Sequence, residues 1–154
     1  MRYISAADTN VECVFCAALA AGDDARTLVV YRGRLAFLIL NTFPYASGHL
    51  MTALNRHGVS LADATSAELT EAMELTQRAL RVLRTNYRAD GFNVGVNEGK
   101  VAGAGVADHL HIHVVPRWDG DANFMPVIGE TKVLPEELPT TFERLRAAFA
   151  SHSS

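Results

Sequence analysis

The 154-residue chain holds only two cysteines, no run of Lys or Arg, and no apolar stretch of membrane-spanning length. Each scarcity removes a class of protein. Two thiols cannot build a disulfide framework. A net charge of −3 without a basic run gives no footprint for nucleic acid. A bilayer-spanning helix needs about 20 apolar residues, and the opening Met1-Arg2-Tyr3-Ile4-Ser5 leads into a polar segment rather than a secretory signal. A cytoplasmic location is the expectation. Gly99-Lys100 lacks the Ser or Thr of a P-loop, and no dinucleotide fingerprint is complete. Nor is there an internal repeat or a sign of a second domain. What is present is a globular composition, 49% hydrophobic and 20% charged, long enough to bury a core as one domain over residues 1–154.

Leu28–Arg32 and Leu35–Leu40 are apolar, β-leaning runs either side of Gly33-Arg34, the pattern of a hairpin. A loop rich in turn residues, 41–48, leads to a third strand over His49–Leu54. Thr65-Ser66-Ala67-Glu68 has capping-box spacing and opens a long helix to about Arg88, with Gly91 placed to end it. Leu69, Met73, Thr76, Leu80, Leu83 and Tyr87 form one packing face, and Ala72, Leu75, Ala79 and Val82 a second stripe that covers either the sheet or a partner. Strands over Phe92–Asn97 and His109–Val115 flank a glycine-rich loop, and a helix follows Pro135 to about Ala150, with a frayed tail beyond. The sum is an α+β domain on a largely antiparallel five-stranded sheet, with one long helix and a C-terminal helix.

The last strand carries the densest signal. His109, His111 and His113 alternate with Leu110, Ile112 and Val114, so three imidazoles about 7 Å apart line one face while the apolar residues enter a core. Imidazole titrates nearest neutrality, and a strand face of imidazoles is costly to leave unpartnered. Nucleophilic, acid–base and metal chemistry all fit, against a blander reading as satisfied polar residues. Cys13-Val14-Phe15-Cys16 reads as half of a zinc site or as a redox pair, and the lack of a preceding strand favours zinc.

The run His109-Leu110-His111-Ile112-His113-Val114-Val115 resembles the signature of the histidine triad family of nucleotide hydrolases and transferases. The likeness extends from Cys13 to about Pro135, the expected core, with 1–12 as an extension. Asn41, Pro44 and Gly48-His49 agree in order and spacing, as do Asn97-Glu98-Gly99 and Pro116-Arg117. Trp118 to Met125, with Arg2-Tyr3-Ile4 upstream, is most similar to the subgroup of diadenosine tetraphosphate phosphorylases and related hydrolases. The resemblance implies a homodimer that cleaves dinucleoside polyphosphates through a nucleotidyl-histidine, with nucleoside phosphoramidase and non-catalytic nucleotide binding as the alternatives.

By the same resemblance His111 is the nucleophile, and His113 holds the phosphoryl oxygens and aids the leaving group. His49 is a further phosphate-side histidine, or else a packed residue at a strand start. Asn97 contacts the reacting phosphate and Asn41 the ribose hydroxyls. Phe15 and Ile39 flank the base or belong to the core. The glycine loop, with Gly103 and Gly105, offers backbone N–H groups to phosphate. It carries one residue more than eukaryotic members and no Gln, so the contact there rests on backbone. Arg117 and Lys132 are candidates for the distal phosphates, and Trp118 stacks on a second base or caps the core. Asp119, Asp121 and Glu130 read as solvated acids, although Mg²⁺ could arrive with the polyphosphate. Bacterial relatives with Cys-x-x-Cys complete a structural zinc set; the matching residues are Cys13, Cys16, His57 and His109.

Overall fold

The computed structural model describes residues 13–106, 108–121 and 136–151. A short helix, α1 (Val14–Ala21), and a single turn, α2 (Asp24–Thr27), precede the hairpin of β1 (Val29–Arg32) and β2 (Ala36–Leu40). Strand β3 (Leu50–Leu54) leads to the long helix α3 (Ser66–Tyr87), then to β4 (Gly91–Gly95), β5 (His111–Arg117) and α4 (Leu138–Ser151). The sheet is antiparallel throughout, in the order β1-β2-β3-β5-β4, so the expected α+β architecture is the one observed. None of the described helices is long and apolar enough to cross a membrane.

The sheet separates two apolar layers. Leu38, Leu40, Leu50, Leu54, Ile112 and Val114 face α3 and α4, whose Ala72, Leu75, Ala79, Phe142 and Leu145 complete the main core. Val29, Phe37, Ile39, Met51 and Ala53 face the other way and are covered by Phe15 and Ala18 of α1. The stripe left open between sheet and partner therefore covers the sheet, with Thr76 and Leu83 beside it. Met73 of the anticipated packing face is instead exposed, and Leu69 is only partly buried. Ala72 and Ala79 explain the choice, because small side chains let a helix lie close to a sheet.

Polar contacts lock these layers. Thr76 Oγ1 donates to the Ala72 carbonyl, which leaves the Thr52 hydroxyl to donate to Thr76 across the helix–sheet boundary at 3.0 Å. The capping box forms as anticipated: Thr65 Oγ1 accepts from Glu68 N, and Thr65 N donates to the Glu68 carboxylate. Arg56 grips the same carboxylate through Nε and Nη2 at 2.9 and 2.8 Å. That guanidinium, then the Thr65 backbone, hold the Glu68 carboxyl down to about 2. Glu71 reaches the hairpin, accepting from Leu35 N and Ala36 N.

Four boundaries differ from the sequence reading. Helix α1 carries no polar cap and no apolar stripe, so nothing periodic announces it, although Gly22 at φ 66° ends it in a left-handed turn. Arg88, at φ 51°, closes α3 in the role anticipated for Gly91, which instead opens β4 opposite Arg117. Strand β4 stops at Gly95, short of Asn97. Strand β5 begins at His111 and not at His109, because the His109 ring takes the Leu54 carbonyl and the His111 ring takes the His109 carbonyl. Pro116 is tolerated inside β5 because pairing with β3 ends at Val114 and leaves that flank free. Pro135 and the tail beyond Ser151 lie outside the described residues, as do residues 1–12.

Gly48 joins the loop to β3 just before His49. Its φ is +83°, and a β-carbon there would stand 2.8 Å from Leu83 Cδ2 in the core. Gly58 has φ +73° with open space around it. Replacing each by Ala separates backbone strain from packing. Gly58→Ala should lower stability by about 1 kcal/mol, and Gly48→Ala by about 2–3 kcal/mol, in urea unfolding. Equal losses would mean that Leu83 yields freely.

Candidate active site and metal centre

Ladder pairing brings the histidines together. His111 lies opposite Ala53 and His113 opposite Met51, so both share the α1-covered face of the sheet. On the far side of His113 stands Gly95, where even an added β-carbon would meet nothing within 4 Å. His113 therefore opens to free space, whereas Phe15 packs on His111 with ring centroids 4.8 Å apart. His111 is 4% exposed and His49 fully buried.

Hydrogen bonds define which nitrogen of each ring carries the proton. In His111, Nδ1–H donates to the His109 carbonyl at 2.7 Å, leaving the lone pair on Nε2. His49 Nδ1 accepts from Tyr45 N–H at 3.2 Å, so its proton sits on Nε2. That proton faces His113 Nδ1 at 3.0 Å, and His113 in turn keeps its proton on Nε2. The chain from Tyr45 through His49 thus ends in a donor at His113, beside the unprotonated Nε2 of His111. Burial holds His49 down at about 4, with the neighbouring His113 adding to it. Burial also lowers His111 and His113. All three rings are neutral at pH 7, as both the lone pair and the directed chain require.

The remaining candidates take distinct places. Asn41 Oδ1 accepts from Phe43 N at 2.9 Å, which turns its amide nitrogen to within 3.5 Å of His49 Nε2. Ile39 and Phe15 belong to the apolar layer next to the histidines. Asn97 follows β4 and lines a cleft with Gly99, Asp108 and His109, with its amide nitrogen near Gly103. Gly103, at φ +87°, ends a turn of 3-10 helix over Lys100–Ala102, and Gly105 is exposed two residues on. Arg117 is bound on three sides, by both carboxylate oxygens of Asp121 at 2.7 Å and by Asn93 Oδ1 at 2.8 Å. Trp118 Nε1 donates to the Tyr87 carbonyl at the end of α3, a fastening of the fold. Lys132, Glu130 and the stretch from Ala122 to Met125 lie outside the described residues, as does Ala107.

His109 stands apart from the other two. Its Nε2–H donates to the Leu54 carbonyl at 2.6 Å, so its Nδ1 lone pair is aimed at Cys13 Sγ (3.3 Å), Cys16 Sγ (3.6 Å) and His57 Nδ1 (3.3 Å). Cys16 Sγ is 3.4 Å from His57 Nδ1, and all four ligand atoms lie within 4.8 Å of one another. Tetrahedral zinc with ordinary bond lengths separates two nitrogens by about 3.4 Å and nitrogen from sulfur by about 3.6 Å. The donor set fits zinc in both spacing and chemistry. Burial and the adjacent Cys13 push the Cys16 thiol up to about 11, and a bound cation reverses that by favouring thiolate. The Leu54 carbonyl supplies the outer partner that metal-bound imidazoles ordinarily have.

Known proteins share this arrangement of sequence and fold. The model of the HIT domain matches residues 23–120. An AP-4-A phosphorylase of Mycobacterium tuberculosis is 48% identical over 127 residues, which is 82% of this chain and 65% of the relative. The chain thus spans about 65% of that protein's length. A bis(5'-nucleosyl)-tetraphosphatase [asymmetrical] of Schizosaccharomyces pombe is 31% identical over 93 residues, 60% of this chain and 50% of that one. The crystal structure of a zinc-bound histidine triad family protein from Mycobacterium smegmatis superposes with a TM-score of 0.74 at 30% identity, covering 92% of this chain and 96% of that one.

The proton chain can be read directly. Long-range ¹H–¹⁵N spectra should show His49 and His113 as Nε2–H tautomers and His111 as Nδ1–H at pH 7. His49 should keep its neutral pattern until about pH 4. Because the folded value lies below the ordinary 6.5, protonation favours the unfolded chain. The His49 contribution to stability is then complete above pH 6.5 and lost as the pH falls toward 4. A His49 ring that titrates near 6.5 would contradict the chain.

Proposed function

The chain belongs to the HIT family, and from that premise we propose that it cleaves dinucleoside polyphosphates at an α-phosphate through a nucleotidyl-His111 intermediate. The observation that carries the reading is the His111 ring, whose Nδ1–H is fixed on the His109 carbonyl. A ring so fixed presents a lone pair at Nε2 without having to lose a proton first. In-line attack forms the N–P bond and breaks the P–O bond to the departing nucleoside polyphosphate. His113 Nε2–H, directed by His49, donates to the phosphoryl oxygens or to the leaving oxygen, where negative charge gathers. Asn41 and Asn97 bind the ribose and the phosphate, above the buried apolar layer to which Phe15 and Ile39 belong. The amides of Gly103 and Ala104 are taken by the Lys100 and Gly99 carbonyls, which leaves Gly105 as the loop's backbone contact for phosphate.

Phosphate or water then resolves the intermediate. The similarity to an AP-4-A phosphorylase over most of this chain favours phosphate. Zinc held by Cys13, Cys16, His57 and His109 would serve as a structural ion, since four protein ligands leave no open position. It would fasten α1 and the loop after β3 to the segment that enters β5. The open edge of β4 is suited to pairing with a second copy, the basis of a homodimer.

Products formed from diadenosine tetraphosphate decide between the routes. ADP with ATP, formed only when phosphate is present, identifies the phosphorylase; AMP with ATP in its absence identifies a hydrolase. Lack of turnover beside brisk cleavage of an adenosine phosphoramidate would refute the reading. His111→Ala should reduce turnover at least about a thousandfold while retaining the fold and any zinc. Chelation verified by elemental analysis should lower Tm by about 10 °C and reduce activity with it. Unchanged stability after proven metal loss would remove the structural role.

A further inference from the structure

The loop between β2 and β3 displays two aromatic side chains that the proposed reaction has not used. Phe43 is 84% exposed and Tyr45 75% exposed. Aromatic rings left in water forgo a large burial term, and these two sit on a loop that is firmly held. Asn41 N donates to the His49 carbonyl, and His49 N to the Ala46 carbonyl. Phe43 N donates to Asn41 Oδ1, and Tyr45 N to His49 Nδ1. The Tyr45 ring lies 4.9 Å from the His49 ring, and 6.5 Å from that of His113 at an interplanar angle of 26°.

Across the site the rings therefore form a series. Phe15, buried, packs on His111; His111 packs on His113, with centroids 4.9 Å apart; and His113 faces Tyr45 on the solvent side. The series is closed at Phe15 and open at Tyr45, where a planar aromatic group at the far end of a phosphate chain can lie. We propose that Tyr45, with Phe43 close by in the loop, is the stacking platform for the base of the departing nucleoside. The platform discriminates dinucleoside from mononucleoside polyphosphates. The inference rests on the reading of the site as one that cleaves dinucleoside polyphosphates. A ring already held against His49 and His113 loses little freedom when a base covers it, so contact area converts efficiently into affinity.

The test compares kcat/KM for diadenosine tetraphosphate with that for adenosine 5′-tetraphosphate, which offers the same α-phosphate without a second base. Base–aromatic stacking predicts that Tyr45→Ala lowers this ratio about 10-fold to 100-fold, mainly through KM. Tyr45→Trp should keep the ratio, and Phe43→Ala should lower it less. If the ring only seats His49, both substrates lose activity together and the ratio stands, which overturns the proposal. An unchanged ratio without any loss of activity overturns it as well. Should the wild-type protein turn over neither substrate, the functional reading fails, and calorimetric binding of the same two nucleotides decides this inference separately. Tighter binding of the dinucleotide that is lost in Tyr45→Ala supports the platform; equal binding, or none, overturns it.

Discussion

The His109 residue is the constraint on which the site depends, because every polar atom beyond its amide nitrogen is committed. Its Nε2–H is spent on the Leu54 carbonyl, its Nδ1 faces two sulfurs and a second imidazole, and its carbonyl receives the His111 ring. The last of these bonds fixes the tautomer of His111. The first two tie the entry to β5 to the end of β3, to α1 and to the loop bearing His57. Whatever stiffens the cluster of Cys13, Cys16, His57 and His109 therefore also orients the neighbouring ring. Coupling between the two centres passes through one residue.

Burial does a second job. Removing imidazoles from water disfavours their charged form, and in this site the neutral form is the useful one. A protonated His49 would carry a hydrogen on Nδ1 as well, setting it against the Tyr45 N–H at 3.2 Å. A neutral His49 accepts from the backbone of Tyr45 and passes direction on to His113. The sheet leaves room beside the rings: Ala53 opposite His111 and Gly95 on the β4 side of His113 are small, while Met51 flanks His113 on the β3 side. Phe15 closes the His111 side, so one end of the row is dry and the other meets solvent.

Much of the fold could be read from the chain because its signals are local. The capping box of Thr65 and Glu68, the alternation around His111 and His113, and the hairpin about Gly33 each lie within a few residues. All of them appear in the structure close to their anticipated places. Helix α1 was not legible, because eight residues rich in alanine carry no periodic stripe; its burial comes from a sheet face assembled later in the chain. Which stripe of α3 would be buried was equally open, because apolar residues occur on both sides of the helix. The site showed the same division. Residue types pointed to metal or acid–base chemistry and the family resemblance to nucleotides, but the anchoring of Arg117 by Asn93, and of Trp118 by the Tyr87 carbonyl, involves partners whose proximity only folding creates.

The sequence by itself determined the chemistry available: three alternating imidazoles, a fourth after Gly48, and two thiols three positions apart. Side-chain type and strand periodicity are intrinsic to the chain, and they limit what such residues can do. The tertiary structure decided how the work is divided. It placed His109 outside the strand with its lone pair on the thiols, and set the protons of His49, His111 and His113 through carbonyl, amide and ring partners. A tautomer is chosen by what lies across from the ring: for His49 an amide four residues away, for His113 the His49 ring 64 positions away, and for His111 the carbonyl of His109 as the fold turns it.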